Sequence, residues 1–264
     1  MRKFCEVFSM IVYVGKVLGL FLGTFAFIAI IYGIYRIRNR NIRSIPGLDA
    51  IPEAIGRAAE MGRPVHDSPG LGALIDQYAA QTIAGLDIIG YVARLCASRG
   101  VPLEVTIPTA HVLPPAEEIV KNAYIMEGAI ESWSPDIVRF LPNQESLFTY
   151  TNDMFVRRNI AANIMVGAYY WEAIVLAEQG GAVGAMQIGG TARQSQLPAF
   201  VAACDYIIIG DEMFAASAYL TKDEKTIGSI AGLDIFRAVV VGLMILGLIL
   251  SLIGSNWLVT IIKL

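Results

Sequence analysis

Histidine and cysteine are scarce in this chain, with two and three residues among 264. Cys5, Cys96 and Cys204 are odd in number, far apart and without metal-ligand spacing, so they support neither a disulfide framework nor a structural zinc site. They read as small buried apolar residues in a reducing compartment. Signature motifs are missing as well: there is no G-x-G-x-x-G, no Walker A sequence and no G-x-S-x-G elbow. A nucleophile triad has little to draw on, since only His66 and His111 exist and Ser68 lies two residues from His66. No internal repeat or low-complexity segment occurs. Nothing here names a reaction or a cofactor.

Two stretches lack charge altogether, and they are the most informative part of the chain. Val17 to Tyr35 and Ala238 to Ile262 are apolar and uncharged, each long enough at 1.5 Å per residue to cross a hydrocarbon core of about 30 Å. The expected layout is an N-terminal anchor with a basic juxtamembrane segment (1–43), an α/β domain (44–235) and a C-terminal anchor (236–264), with the lipid bilayer as partner. A cleaved signal peptide fits less well. The first run is too long, has no A-x-A-like cleavage site, and is followed by Arg36, Arg38, Arg40 and Arg43 in a stop-transfer pattern.

Charge gives the expected orientation. Between Ser44 and Ile235 there are 11 Lys and Arg against 22 Asp and Glu, a net of -11, whereas the flanks carry 9 basic residues against Glu6 alone, a net of +8. The Arg36 to Arg43 cluster and Arg237 lie at the inner ends of both runs, so the positive-inside rule places the central domain in the cytoplasm of a two-span membrane protein. Arg2 and Lys3 vote the other way. A domain this acidic is no candidate for nucleic-acid binding. Gly15, Gly19 and Gly23 recur every fourth residue, a face along which another backbone can pack, and Gly242 and Gly247 in the second run are candidate partners. Self-association into a homo-oligomer is the expected consequence, with the same or an adjacent subunit supplying the partner helix.

The central region reads as alternating strand and helix. Strands are expected at Pro64–His66, Leu103–Ile107, Ile137–Leu141, Val183–Ile188 and Tyr206–Ile209. Helices are expected at Ile51–Met61, Leu74–Ser98, Pro115–Ser132, Gln144–Gln179 (long enough for two helices), Gln194–Ala203 and Met213–Leu220. This alternation predicts a Rossmann-like α/β domain, a mostly parallel sheet with helices on both faces. Ala161–Ala177 reads as a helix apolar nearly all round, with core, subunit interface and, less readily, a third span as its possible settings.

The stretch Gly62-Arg63-Pro64-Val65-His66-Asp67-Ser68-Pro69-Gly70, preceded by Ile45-Pro46-Gly47-Leu48-Asp49-Ala50-Ile51, resembles the start of an uncharacterised family of prokaryotic membrane-anchored proteins known only as a domain of unknown function. Ile209-Gly210-Asp211-Glu212-Met213-Phe214-Ala215-Ala216 is similar to the same family ahead of its last span. The resemblance implies no activity and no catalytic residue.

Position therefore carries the functional reading. In a parallel sheet, ligands bind at the carboxyl ends of the strands. Ser68, Gly70 and Gly72 after the first strand, and Gly189, Gly190, Thr191 and Arg193 after the fourth, form a candidate cradle for a small anionic ligand, with glycine turns offering N–H groups and Arg193 a fork of donors. Tight turns that need glycine are the plain alternative. Asp67, Asp211 and Glu212 fall near strand ends and could hold Mg²⁺ beside a phosphorylated ligand, or simply cap turns and the last helix. Two functions stay open: a homo-oligomeric scaffold or ligand-sensing membrane subunit, and an enzyme or nucleotide-binding protein acting on a phosphorylated or acidic small molecule.

Overall fold

A computed structural model describes residues 23–25, 27–29, 31, 44–221, 232, 234–242 and 244–245. Two compact units divide the chain: Arg43–Leu220, and the two ends, Met1–Ile42 with Thr221–Leu264. In the second unit the described positions are helical, and the rings of Phe25 and Phe236 meet with centroids 6.3 Å apart. Among the described residues no helix is long and apolar enough to cross a membrane. Most of Val17–Tyr35 and Ala238–Ile262, with Gly15, Gly19 and Gly247, lies outside the described residues.

The unit from Arg43 to Leu220 alternates strand and helix as its apolar runs imply. Its elements are α1 (Pro46–Asp49), α2 (Ile51–Met61), β1 (Val65–Gly70), α3 (Ala79–Arg99), β2 (Leu103–Ile107), α4 (Leu113–Met126), β3 (Val138–Phe140), α5 (Gln144–Arg158), β4 (Ala162–Ala168), α6 (Glu172–Ala182), β5 (Met186–Thr191), α7 (Leu197–Ala203), β6 (Tyr206–Ile209) and α8 (Asp211–Thr221). All five strand pairings are parallel, in the order β3-β2-β1-β4-β5-β6. This is the doubly wound order, in which the chain builds outward from β1 to one edge, returns through α5, and builds from β4 to the other.

Side chains alternate across the sheet. Val65, Val105, Ile164 and Ile188 face a large core shared with α1 to α4 and with Met213 and Ala216 of α8. On the other face, α5 to α7 cover two smaller clusters. Met154, Phe155, Ile160 and Ala185 form one, and Met165, Tyr169, Ala173, Leu176, Ala177 and Phe200 the other.

Three expectations are corrected. The stretch Gln144–Gln179 is not one or two helices but helix, strand and helix. Asn143 caps α5 through a reciprocal box with Ser146, Asn159 ends it in the left-handed conformation at φ 52°, and Ala162–Ala168 then enters the centre of the sheet as β4. The apolar run is thus a strand buried on both faces, where no alternation is required. Asp67 to Gly70, expected as a turn after the first strand, continue β1, and Gly189 to Thr191 likewise continue β5. The buried loop-like composition of β1 is tolerated because its neighbours on both sides take up its backbone groups.

Candidate functional site

The strand order reverses between β1 and β4, and it is outside their carboxyl ends that a doubly wound sheet opens a crevice. Here the two ends come very close. A Cβ at Gly167 would overlap the Pro69 carbonyl oxygen, and one at Gly70, whose φ is 75°, would overlap the Ala168 carbonyl oxygen. Only glycine allows both approaches. The Tyr169 hydroxyl donates to the Ser68 carbonyl at 2.7 Å and ties the two ends together, and burial pushes its phenol pKa well up.

Above this junction sits an arginine beside two tyrosines. The Arg193 backbone N–H donates to Thr191 Oγ1 at 3.2 Å, and its Nη1 donates to the Tyr169 carbonyl at 3.3 Å. The guanidinium lies 4.0 Å from the centroid of the Tyr170 ring and 5.0 Å from that of Tyr78. Tyr170 is held from below: buried Glu172 accepts its backbone N–H at 2.8 Å and also accepts the Gln144 amide. Gln81, in the first turn of α3, accepts from the Ala192 N–H at 3.2 Å. The loop from Leu71 to Tyr78 is pinned by Leu71 N–H to the Ala168 carbonyl at 2.8 Å and by Leu74 N–H to His111 Nε2 at 3.3 Å. Among the described residues no carboxylate lies within ion-pair distance of Arg193.

Below the junction a polar row crosses the sheet. Glu104, His66, Asn163 and Gln187 stand at one register on β2, β1, β4 and β5, all buried, on the face covered by α5 to α7. Asn163 Nδ2 donates to Gln187 Oε1 at 2.7 Å, leaving Oδ1 to accept from His66 Nδ1 at 2.7 Å. His66 Nε2 then accepts from the Thr106 hydroxyl at 2.9 Å. Burial lowers the His66 pKa to about 4, against the raising effect of the Asn163 bond, so the ring is neutral at pH 7. Glu104 is pushed up by burial, with Arg158 and Arg139 pulling back.

A family model described as a domain of unknown function (DUF6754) matches residues 6–262. The chain belongs to this family. No curated protein and no solved structure matches it. The family is an uncharacterised one, as the resemblance in Gly62–Gly70 and Ile209–Ala216 implied, and it assigns no role to any residue.

Of the sequence candidates, Gly70, Gly72, Thr191 and Arg193 lie at the same carboxyl edge, but β4 separates the first two from the last two. Ser68 does not point there: its hydroxyl donates to the Thr106 carbonyl at 2.8 Å inside the sheet. Gly189 and Gly190 lie within β5, and Phe200 and Cys204 pack where a Gly189 side chain would sit. Asp67 faces the large core, with Oδ2 lacking a hydrogen-bond partner and its pKa raised well above the ordinary value by burial, the Ser68 backbone bond opposing. Asp211 and Glu212 begin α8 past β6, three strand spacings or about 14 Å from β1. The three acids therefore do not converge, and Glu212 Oε2 instead accepts from the Ile209 N–H at 3.3 Å. Among the described residues no three His, Cys, Asp or Glu side chains group to hold a metal ion. The residues that sequence reading missed are Tyr78, Gln81, Tyr169 and Tyr170. For Tyr169 and Tyr170 the signal was the helix stop at Arg157-Arg158-Asn159, which frees Ala162–Ala168 to be a strand and puts both at its end, whereas Tyr78 and Gln81 lie at the start of α3.

Proposed function

We propose that the chain is a membrane subunit that senses a small anionic ligand, held by two membrane-crossing anchors with its α/β domain in the cytoplasm and assembled as a homo-oligomer. The observation that carries the sensing role is Arg193, held over the Tyr170 ring with Tyr78 beside it at the β1–β4 junction, without a carboxylate partner among the described residues. An arginine whose face is occupied by an aromatic ring still presents its donor edge, and that edge matches an oxyanion. The anchors rest on the two uncharged runs, and the orientation on the arginines at their inner ends. For assembly, Gly15, Gly19 and Gly23 recur every fourth residue of the first run, a face along which Gly242 and Gly247 of the second run, in the same or an adjacent subunit, can pack.

A nucleotide-binding or enzymatic role at the same edge is the second reading, favoured by the doubly wound strand order. Titrating the full chain in detergent with inorganic phosphate and with a nucleoside diphosphate tests both. Saturable binding that is lost in Arg193→Ala supports the sensing site, and turnover of the bound compound moves the protein to the second reading. Affinities unchanged by Arg193→Ala, or no saturable binding of either compound, remove the proposal.

A further inference from the structure

The opposite, amino edge of the sheet holds a cavity that is independent of the Arg193 reading. β3 begins at Val138, opposite Val105, so Leu103 and Glu104 at the start of β2 have no strand neighbour on that side. The space beside them is a cavity of about 340 Å³, within the range of small-molecule pockets. Its lining includes apolar Val101, Pro102, Leu103 and Ile137 together with Arg139, Arg158 and Glu104, and Asp136 in it is exposed.

The charges in this lining are unevenly matched. Arg158 Nη1 lies 2.8 Å from Glu104 Oε1, which also accepts the Tyr150 hydroxyl at 3.4 Å. Arg139 is laid over the Tyr150 ring, 5.1 Å from its centroid. Its Nε is buried with no hydrogen-bond partner, and among the described residues no carboxylate lies within ion-pair distance of it. That Nε is enclosed by the protein, but Arg139 as a whole lines the cavity as a guanidinium with no acidic partner of its own among the described residues, and such a cation pairs with an anion that enters. The contact with the Tyr150 ring restrains the guanidinium, and a planar carboxylate can meet the donor edge of an arginine with two parallel bonds. A dianionic phosphate would face Glu104 and Asp136 with one unpaired cation to hold it, and would leave the apolar residues unused.

We infer that this cavity binds a small monocarboxylate with a short apolar body, its head on Arg139 and its body against Val101, Pro102, Leu103 and Ile137. Saturation-transfer NMR on the full chain in detergent, with butyrate as the probe and 1-butanol and inorganic phosphate as comparators, tests this. Butyrate binds saturably in about the millimolar range expected of so few atoms. Arg139→Gln weakens it about tenfold or more, since a charge-assisted bond is lost, and Arg139→Lys falls between. Ser132→Trp, at the exposed rim, blocks binding without removing any bond of the fold. Arg193→Ala leaves butyrate binding unchanged, which separates this site from the carboxyl edge. No saturable butyrate signal, equal binding of 1-butanol, tighter binding of phosphate, or butyrate binding indifferent to both Arg139→Gln and Ser132→Trp would overturn the inference.

Discussion

His66 on β1 and Asn163 on β4 stand directly opposite each other, with the ring Nδ1 2.7 Å from the amide Oδ1, and this one contact sets the state of the imidazole. Because the Asn163 amide nitrogen is already committed to Gln187 Oε1, its oxygen must accept, so the ring proton sits on Nδ1. Nε2 is then free to accept from Thr106, and every polar atom of the neutral ring has a partner. The Phe155 ring packs against the imidazole, 5.1 Å away between centroids, and both side chains are fully buried. A second proton would have to be accommodated with no carboxylate bonded to the ring.

Acid should therefore loosen the domain through this histidine. The folded pKa is about 4 and the ordinary value 6.5, so between them the unfolded chain binds more protons and stability falls as pH drops from about 6.5 towards 4. The full effect is on the order of 3 kcal/mol. Asp67 and Glu104 act with the opposite sign: their raised values favour the fold at low pH, and that contribution is lost as pH rises. Comparing Tm of wild type and His66→Gln isolates the histidine. The gap between the two curves should narrow as pH falls, and parallel curves would show that His66 does not carry the slope.

Removing Asn163 should be worse than removing an exposed amide anywhere on the surface. Asn163→Ala strands the His66 Nδ1–H and the Gln187 Oε1 at the centre of the sheet, two buried groups at about 1–3 kcal/mol each. A destabilisation of about 3 kcal/mol is expected in a denaturant titration. A loss below about 1 kcal/mol would mean that water or a side-chain rotation satisfies both groups.

The junction of β1 and β4 gives a sharper contrast between two glycines. Gly167→Ala drives a methyl into the Pro69 carbonyl, so backbone at the sheet centre must move, and a loss beyond about 3 kcal/mol or failure to fold is expected. Gly184, with φ 74° and nothing within 4 Å of a built Cβ, has only the conformational strain to bear, about 1 kcal/mol on replacement by alanine. Expression and thermal melts of the two variants side by side measure the difference. Equal effects would mean that the strand ends can separate without penalty.

How much of this was legible depended on whether the information is local. β2 and β6 read true from their apolar, β-branched runs, and α2 from the spacing of Ile51, Ala54, Ile55 and Ala58, with Gly62 in the left-handed cap position. β4 was lost because a strand covered on both faces has no period of two, and Ala-Asn-Ile-Met-Val-Gly-Ala also suits a helix. With it went Tyr169 and Tyr170, which follow it. The row Glu104, His66, Asn163 and Gln187 could not be read at all, since it exists only once four distant strands pair in register. Arg193 was found because it follows a strand at a glycine-rich end, whereas Ser68, chosen by the same reasoning, turned inward once β1 proved to run four residues past His66, to Gly70.

The proposed topology can be tested with the native thiols, provided their chemistry is respected. Cys96 is fully buried on α3, and Cys204 is partly covered, with burial pushing its thiol pKa up to about 12, the nearby Asp205 adding to it. Both are poor nucleophiles in the folded protein, so failure to label intact cells would by itself say nothing about sidedness. The informative comparison uses a Cys5→Ser background, a membrane-impermeant maleimide and mild denaturant, applied before and after permeabilisation. If the arginines from Arg36 to Arg43 and Arg237 hold the domain inside, denaturant alone exposes no thiol to the reagent, and denaturant with permeabilisation exposes both. A reporter fused after Leu264 should score as external in the same cells. Labelling of Cys204 from outside without permeabilisation, together with an internal reporter, would invert the orientation. It would then place the Arg193 site and the amino-edge cavity in a different solvent from the cytoplasmic one proposed.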